Sequence, residues 1–128
     1  AVIDESGIPR VTFSEPEIAS VGLTERAARE KYGDAVRTVE YNLAGNGKSN
    51  ILGTAGFIKL VSVENGPIVG FHGIGSRIGE QIGEGELMVN WEAYPSDVAS
   101  LIHAHPSQNE SIGEAAMALA GKPLHAHN

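Results

Sequence analysis

Val36 to Leu43 alternates, with Val36, Thr38, Glu40 and Asn42 on one side and Arg37, Val39, Tyr41 and Leu43 on the other. That is the period of a strand. Gly56 to Val63 and Ile68 to Gly73 are two stronger β-prone runs, and Glu64-Asn65-Gly66-Pro67 between them predicts an antiparallel hairpin. Upstream, Arg10 to Phe13 is a short strand stopped by Ser14-Glu15-Pro16, and Ala19 to Leu23 is another that contains Gly22. The pattern then becomes helical. Thr24 can accept hydrogen bonds from the first-turn amides, Glu25 suits the positive helix end, and Gly33 stops the helix after Tyr32. Residues 44–50 are a loop by composition.

Downstream of the hairpin the apolar spacing is helical. Ser76 can cap a helix to about Glu92 that carries Ile78, Ile82 and Val89 along one side. Gly79, Gly83 and Gly85 weaken it by up to about 1 kcal/mol each relative to alanine, which points to something packed closely against it. Pro95-Ser96 starts a shorter helix through Val98, Leu101 and Ile102. A last helix runs from Ser107 to about Ala120, closed by Gly121 and Pro123. Three or four closely connected strands followed by helices predict an α+β fold, a small antiparallel sheet with flanking helices.

Length and charge narrow the function classes. The 128 residues fit a single domain, 1–128, with residues 1–8 as an incoming linker and 124–128 as a tail. Sixteen acidic against nine Lys/Arg residues give a net charge of −7, which argues against nonspecific nucleic-acid binding. No apolar run reaches the roughly 20 residues of a membrane span. No signal-peptide pattern is present, so the expectation is a cytoplasmic protein without membrane partners. Ala1 in place of an initiator Met reads as a trimmed fragment. With no cysteine, a disulfide or thiolate site cannot form within the chain.

Candidate chemistry centres on His105-Pro106-Ser107-Gln108-Asn109-Glu110. Pro106 disfavours helical geometry at His105 and holds it outside the following helix. With Ser107 as the cap, Glu110 is the third helical residue and leans back toward the imidazole. A carboxylate on one ring nitrogen fixes the tautomer and frees the other nitrogen for proton transfer. Ser107-x-x-Glu110 is also a capping box, which needs no catalysis to explain it.

Two His-x-His pairs, His103/His105 and His125/His127, offer imidazoles to a metal. No acidic residue or cysteine lies at a familiar zinc spacing, so the expectation is no metal. His72, in an apolar strand, reads as a satisfied core histidine. Gly73-Ile74-Gly75-Ser76-Arg77-Ile78-Gly79 resembles a dinucleotide loop, but its third glycine is one residue late and no parallel βαβ follows. A turn into a closely packed helix explains it better.

Phe13 to Glu25 resembles Phe-Thr-x-Pro-Glu-x-Ala-x-Val-Gly-x-Thr-Glu, which opens the C-terminal interface domain of the FAD-dependent pyridine nucleotide–disulfide oxidoreductases; Ser14 replaces the threonine. Ile68 to His72 and Gly79-Glu80 are similar to the family's later strand and helix. His103-Ala104-His105-Pro106 resembles the His-x-His-Pro of its dihydrolipoamide dehydrogenase branch. The resemblance runs from about Pro9 to Pro123. Pro106-Ser107-Gln108-Asn109-Glu110 departs from the family's Pro-Thr-x-Ser-Glu but keeps the histidine–glutamate spacing.

The resemblance implies a domain that pairs with a second copy as a homodimer. It also implies that His105 acts as acid/base at the redox disulfide of the partner subunit, oriented by Glu110, in NAD-dependent oxidation of dihydrolipoamide. FAD and NAD would bind other domains of the parent enzyme, which precede residue 1 along with the cysteine pair, and none would bind this chain alone. The isolated chain would be inactive, and the parent would belong to a 2-oxo acid dehydrogenase complex. An apolar face should be exposed near helix 77–92 and segment 98–106. The rival readings are a non-catalytic interaction module, the interface domain of a related disulfide reductase, and a small metal-binding protein.

Overall fold

Alternation sorts the strand residues onto two faces of one sheet, and each face is closed by different helices. A computed structural model describes residues 7–14, 16–42, 56–75, 78–100 and 110–121. In chain order these form β1 (Arg10–Thr12), β2 (Glu17–Gly22), α1 (Glu25–Tyr32), β3 (Val36–Asn42), β4 (Gly56–Val63), β5 (Ile68–Gly75), α2 (Ile82–Asn90), α3 (Pro95–Ala99) and α4 (Glu110–Leu119). The strands are ordered β1-β2-β5-β4-β3 and every neighbouring pair is antiparallel. The α+β architecture expected from the sequence is the one observed. None of the described helices is long and apolar enough to cross a membrane.

The register makes the core face explicit. Val11, Ala19, Gly73, Ile58 and Tyr41 lie side by side across the five strands, and Val21, Phe71, Leu60 and Val39 form the next row. With Ile78, Met88, Val98, Ile112, Ala115 and Ala116, the residues Ala19, Ile58, Tyr41, Val21, Phe71, Leu60 and Val39 of these rows make one buried cluster, and Val11 packs partly buried against it. Burying a large apolar side chain fully contributes about 1.5–3 kcal/mol, so this layer dominates stability.

Glycines set how closely the helices approach. A Cβ on Gly85 would lie 2.7 Å from the Phe71 ring, and one on Gly79 would lie 2.9 Å from both Val11 and Glu17. The close packing inferred from these two glycines is therefore real. Gly83, where a Cβ meets open space, has no such role.

Element ends differ modestly from the sequence pattern. The helix expected from Ser76 begins as a 3-10 turn over Ile78–Gln81 and becomes α-helical at Ile82. In that turn the Gly79 amide donates to the Glu17 carboxylate at 3.0 Å. The helix stops at Asn90, where Glu92 takes φ 54° and the Ala93 amide donates to the Met88 carbonyl at 2.9 Å. Leu101, Ile102, Ser107 and the loop at residues 44–50 lie outside the described residues.

On the opposite, outer face the described residues place α1 over one end. Thr24 accepts from the Ala27 amide at 3.1 Å, and Gly33 at φ 61° ends the helix, as its sequence signals require. An isolated helix of eight residues is marginal in water, so α1 depends on its seat. That seat is small: Ala28, Val36 and Val61, with Leu23, Tyr32 and Val69 around them.

Candidate functional site

Glu110 is the first described residue of α4, and the seating of that helix explains what can be built on it. Ile112, Ala115 and Ala116 are fully buried in the cluster shared with Val39, Tyr41, Ile58 and Leu60. Ser111, Gly113 and Glu114 are buried as well. With the helix enclosed from Ser111 to Ala116, the backbone of Glu110 sits on a fixed platform against β3, β4 and α3. His105 lies outside the described residues, as do Ser107 and the expected capping box. The His103/His105 and His125/His127 pairs lie outside them too. Among the described residues no three His, Asp or Glu side chains converge as a metal site.

His72 sits on the outer face, partly buried, with both ring nitrogens engaged. Nδ1 is 2.9 Å from the Ser20 hydroxyl and Nε2 is 2.8 Å from the Leu23 carbonyl. A carbonyl only accepts, so Nε2 carries the proton and Nδ1 receives the hydroxyl hydrogen of Ser20. Burial lowers the imidazole pKa below its ordinary value; the Leu23 carbonyl opposes that shift, and the positive charges of Lys59 and Arg10 add to it. The satisfied histidine expected from the sequence is what the fold contains.

The register reveals a row that no motif announced. Arg10, Ser20, His72, Lys59 and Glu40 stand side by side, one from each strand. Lys59 Nζ reaches the Glu25 carboxylate at 2.6 Å, and Arg29 Nε reaches it at 2.9 Å. These cations, Lys59 first, hold the Glu25 carboxyl below its usual range. Beyond this row lies Thr12-Ile18-Ile74-Phe57-Asn42, in which Ile18 and Phe57 remain 48% and 39% exposed. Alternation hinted that these residues share a face, but only strand order and register set them in line.

The Gly73–Gly79 stretch is no dinucleotide loop. β5 has antiparallel neighbours on both sides, so the parallel βαβ unit of that fingerprint is missing, and Gly79 is small because Val11, Phe13 and Glu17 crowd it. Around the C-terminal end of α2, Leu87, Trp91 and Tyr94 are 54%, 79% and 46% exposed. The apolar surface anticipated near this helix is therefore present there. The expected continuation through 101–106 lies outside the described residues.

The arrangement of the described residues, a five-stranded antiparallel sheet with α2, α3 and α4 over one face and α1 on the other, has established relatives. The family described as the pyridine nucleotide-disulphide oxidoreductase dimerisation domain matches residues 8–116, and the chain belongs to that family. Its relatives there are of the dihydrolipoyl dehydrogenase type. It is 41% identical over 127 residues to a dihydrolipoyl dehydrogenase of Bacillus subtilis, covering 98% of this chain and 27% of the relative. It is 36% identical over 125 residues to mitochondrial dihydrolipoyl dehydrogenase 2 of Arabidopsis thaliana, covering 96% and 24%. The structure is similar to LpdA of Mycobacterium tuberculosis, with a TM-score of 0.85 at 25% identity over 93% of this chain and 26% of that one. The chain thus spans about a quarter of the length of the curated relatives it matches.

Proposed function

We propose that residues 1–128 act as the single dimerisation domain of a homodimeric, cytoplasmic dihydrolipoyl dehydrogenase and supply an acid/base pair, His105 and Glu110, to the partner subunit. The observation that carries this reading is the position of Glu110 on a helix locked into the core over its next turns. A group that must hold an imidazole in register needs such a platform, because small misplacements cost catalysis heavily. His105 accepts the proton of an incoming dihydrolipoamide thiol, which leaves as a thiolate toward the redox disulfide. Glu110 steadies the imidazolium so formed. In the reverse direction the same ring returns the proton.

The described residues do not fit FAD or NAD. They contain neither a parallel βαβ unit nor a glycine loop free to cradle phosphates. In this reading both cofactors belong to other domains of the parent enzyme, and the isolated chain has no dehydrogenase activity. The exposed Leu87, Trp91 and Tyr94 support a role in contacts with a second subunit or with a 2-oxo acid dehydrogenase complex, since exposed apolar patches mark interaction sites.

The test is made in the complete enzyme. His105→Gln should leave folding and flavin content intact while lowering dihydrolipoamide turnover by about 10²–10⁴-fold, the usual contribution of a general acid/base. Glu110→Gln should lower activity and shift the acid limb of the pH–rate profile downward, because the imidazolium loses its charge partner. Near-normal turnover in His105→Gln would remove the pair from the mechanism and favour a non-catalytic module.

A further inference from the structure

We propose that the outer face of the sheet carries a nucleophilic site in which Ser20, with His72 as its base, attacks activated esters of apolar carboxylic acids. Neither His105 nor Glu110 takes part, so the site stands or falls apart from the dehydrogenase reading. Its core is a hydrogen bond with a fixed direction. Ser20 Oγ lies 2.9 Å from His72 Nδ1, and His72 Nε2 lies 2.8 Å from the Leu23 carbonyl. A carbonyl only accepts, so Nε2 holds the ring proton and Nδ1 is left as an acceptor. The Ser20 hydroxyl therefore aims its hydrogen at a basic nitrogen, the arrangement that activates a serine.

The other tautomer would make the serine an acceptor and leave it inert. A glycine helps to exclude that tautomer. Any side chain at Gly70 would collide with the Leu23 carbonyl, so its absence lets the carbonyl come down onto the ring. Nucleophile, base and orienting group thus follow the logic of a triad, with a main-chain carbonyl in place of the carboxylate. Burial, with the charges of Lys59 and Arg10 added, holds the imidazole below its ordinary pKa. The ring is accordingly neutral, and available as a base, at pH 7.

The surroundings suit a reacting ester. Ser20 and His72 are each only partly buried. Arg10, exposed on β1, stands directly opposite Ser20. Directly opposed residues have Cβ atoms about 4.5–5.5 Å apart, so its guanidinium reaches a carbonyl oxygen held over the serine. Lys59 stands opposite His72 but is paired with Glu25 at 2.6 Å, which leaves Arg10 as the cation for a developing oxyanion. Ile18 and Ile74 lie two residues from Ser20 and His72 on the same face, with Phe57 next in line. This strip begins about 7 Å from the serine, the length of two strand residues, and Ile18 and Phe57 are 48% and 39% exposed. An alkyl chain carried by the ester finds its place there, which is why the acyl group is assigned as apolar.

The chemistry needs only the ester and water. Ser20 Oγ adds to the acyl carbonyl while its proton passes to Nδ1, and the carbonyl electron pair moves onto oxygen beside Arg10. Collapse of the adduct breaks the bond to the leaving thiol or alcohol, which departs with the proton from Nδ1. Ser20 is left as an O-acyl serine. Water then adds to that ester, with Nδ1 again taking the proton. The carboxylic acid leaves, and the proton returns to Ser20 Oγ.

The experiment treats the full chain at pH 7.5 with methyl and butyl fluorophosphonates, whose serine adducts are stable, and maps the adduct by peptide mass spectrometry. Ser20 should be labelled ahead of every other hydroxyl, and several-fold faster by the butyl probe than by the methyl one. Ser20→Ala should lose the adduct, and with it the hydrolysis of p-nitrophenyl butyrate. His72→Gln should slow labelling by about 10²-fold or more, the usual contribution of a general base. No adduct, an adduct elsewhere, an unchanged rate in His72→Gln, or equal rates for the two probes would each overturn the proposal. Should His72→Gln fail to fold, Arg10→Gln at its exposed position decides instead. Labelling of Ser20 slowed about tenfold or more, as for a lost oxyanion partner, supports the site, and an unchanged rate sinks it.

Discussion

The two faces of the sheet are made by the same five strands, and they differ in what covers them. On the core face, rows such as Val21-Phe71-Leu60-Val39 are apolar across every described strand they cross and lie under α2, α3 and α4. The outer face carries three kinds of row in succession. One is small and apolar beneath α1, one is the charged line from Arg10 to Glu40, and one is the half-open line through Ile18, Ile74 and Phe57. A face covered by several helices can be uniform because water is excluded from all of it. A face with a single short helix must change character with distance from that helix. Stability thus concentrates on the helix-covered side.

Substitutions ranked by expected effect can break or sharpen this contrast. Phe71→Ala, on the core face, should cost about 3–5 kcal/mol, the range for removing a fully buried aromatic ring, read as a lowered urea midpoint. A cost under about 1 kcal/mol would mean that the core face is less dominant than its packing implies. Gly70→Ala should cost about 1–3 kcal/mol as an over-packed site. Its loss should appear first in α1, since the new methyl group meets the Leu23 carbonyl. Hydrogen exchange would show whether α1 or the whole domain opens.

Thr24→Ala removes the acceptor of the Ala27 amide and should cost about 1 kcal/mol, with thermal unfolding as the readout. Phe57→Ser is the smallest. It lies in the half-open row, and its effect on the urea midpoint should stay within about 0.5 kcal/mol. A large loss there would show that the outer row is buried in solution by another surface.

Local chemistry made much of the fold legible. Thr24 and Gly33 bracket α1 because a hydroxyl cap and a left-handed stop act on their own few neighbours. Asn65, at φ 57°, marks the hairpin for the same reason. The alternation of Val39 and Tyr41 against Glu40 and Asn42 assigned this end of β3 its faces correctly. Other features needed distant partners. Ile68 and Phe71 both reach the core although they are an odd three positions apart, because the register between β4 and β5 shifts at Val61/Ser62. Alternation alone cannot place such a shift. The close approach at Gly85 was suspected from the glycine, but its partner, Phe71, sits on β5.

The candidate site divides along the same line. The sequence by itself nominated His105 and Glu110 as a motif and determined the satisfied character of His72 and the α+β class, because spacing, proline and apolar pattern act within a few residues. Only the tertiary structure decided that the helix carrying Glu110 is enclosed from Ser111 to Ala116, and that Arg10, Ser20, His72, Lys59 and Glu40 form one line. Those relations depend on which strands are neighbours and in what register, and that is settled by burying the core face as a whole.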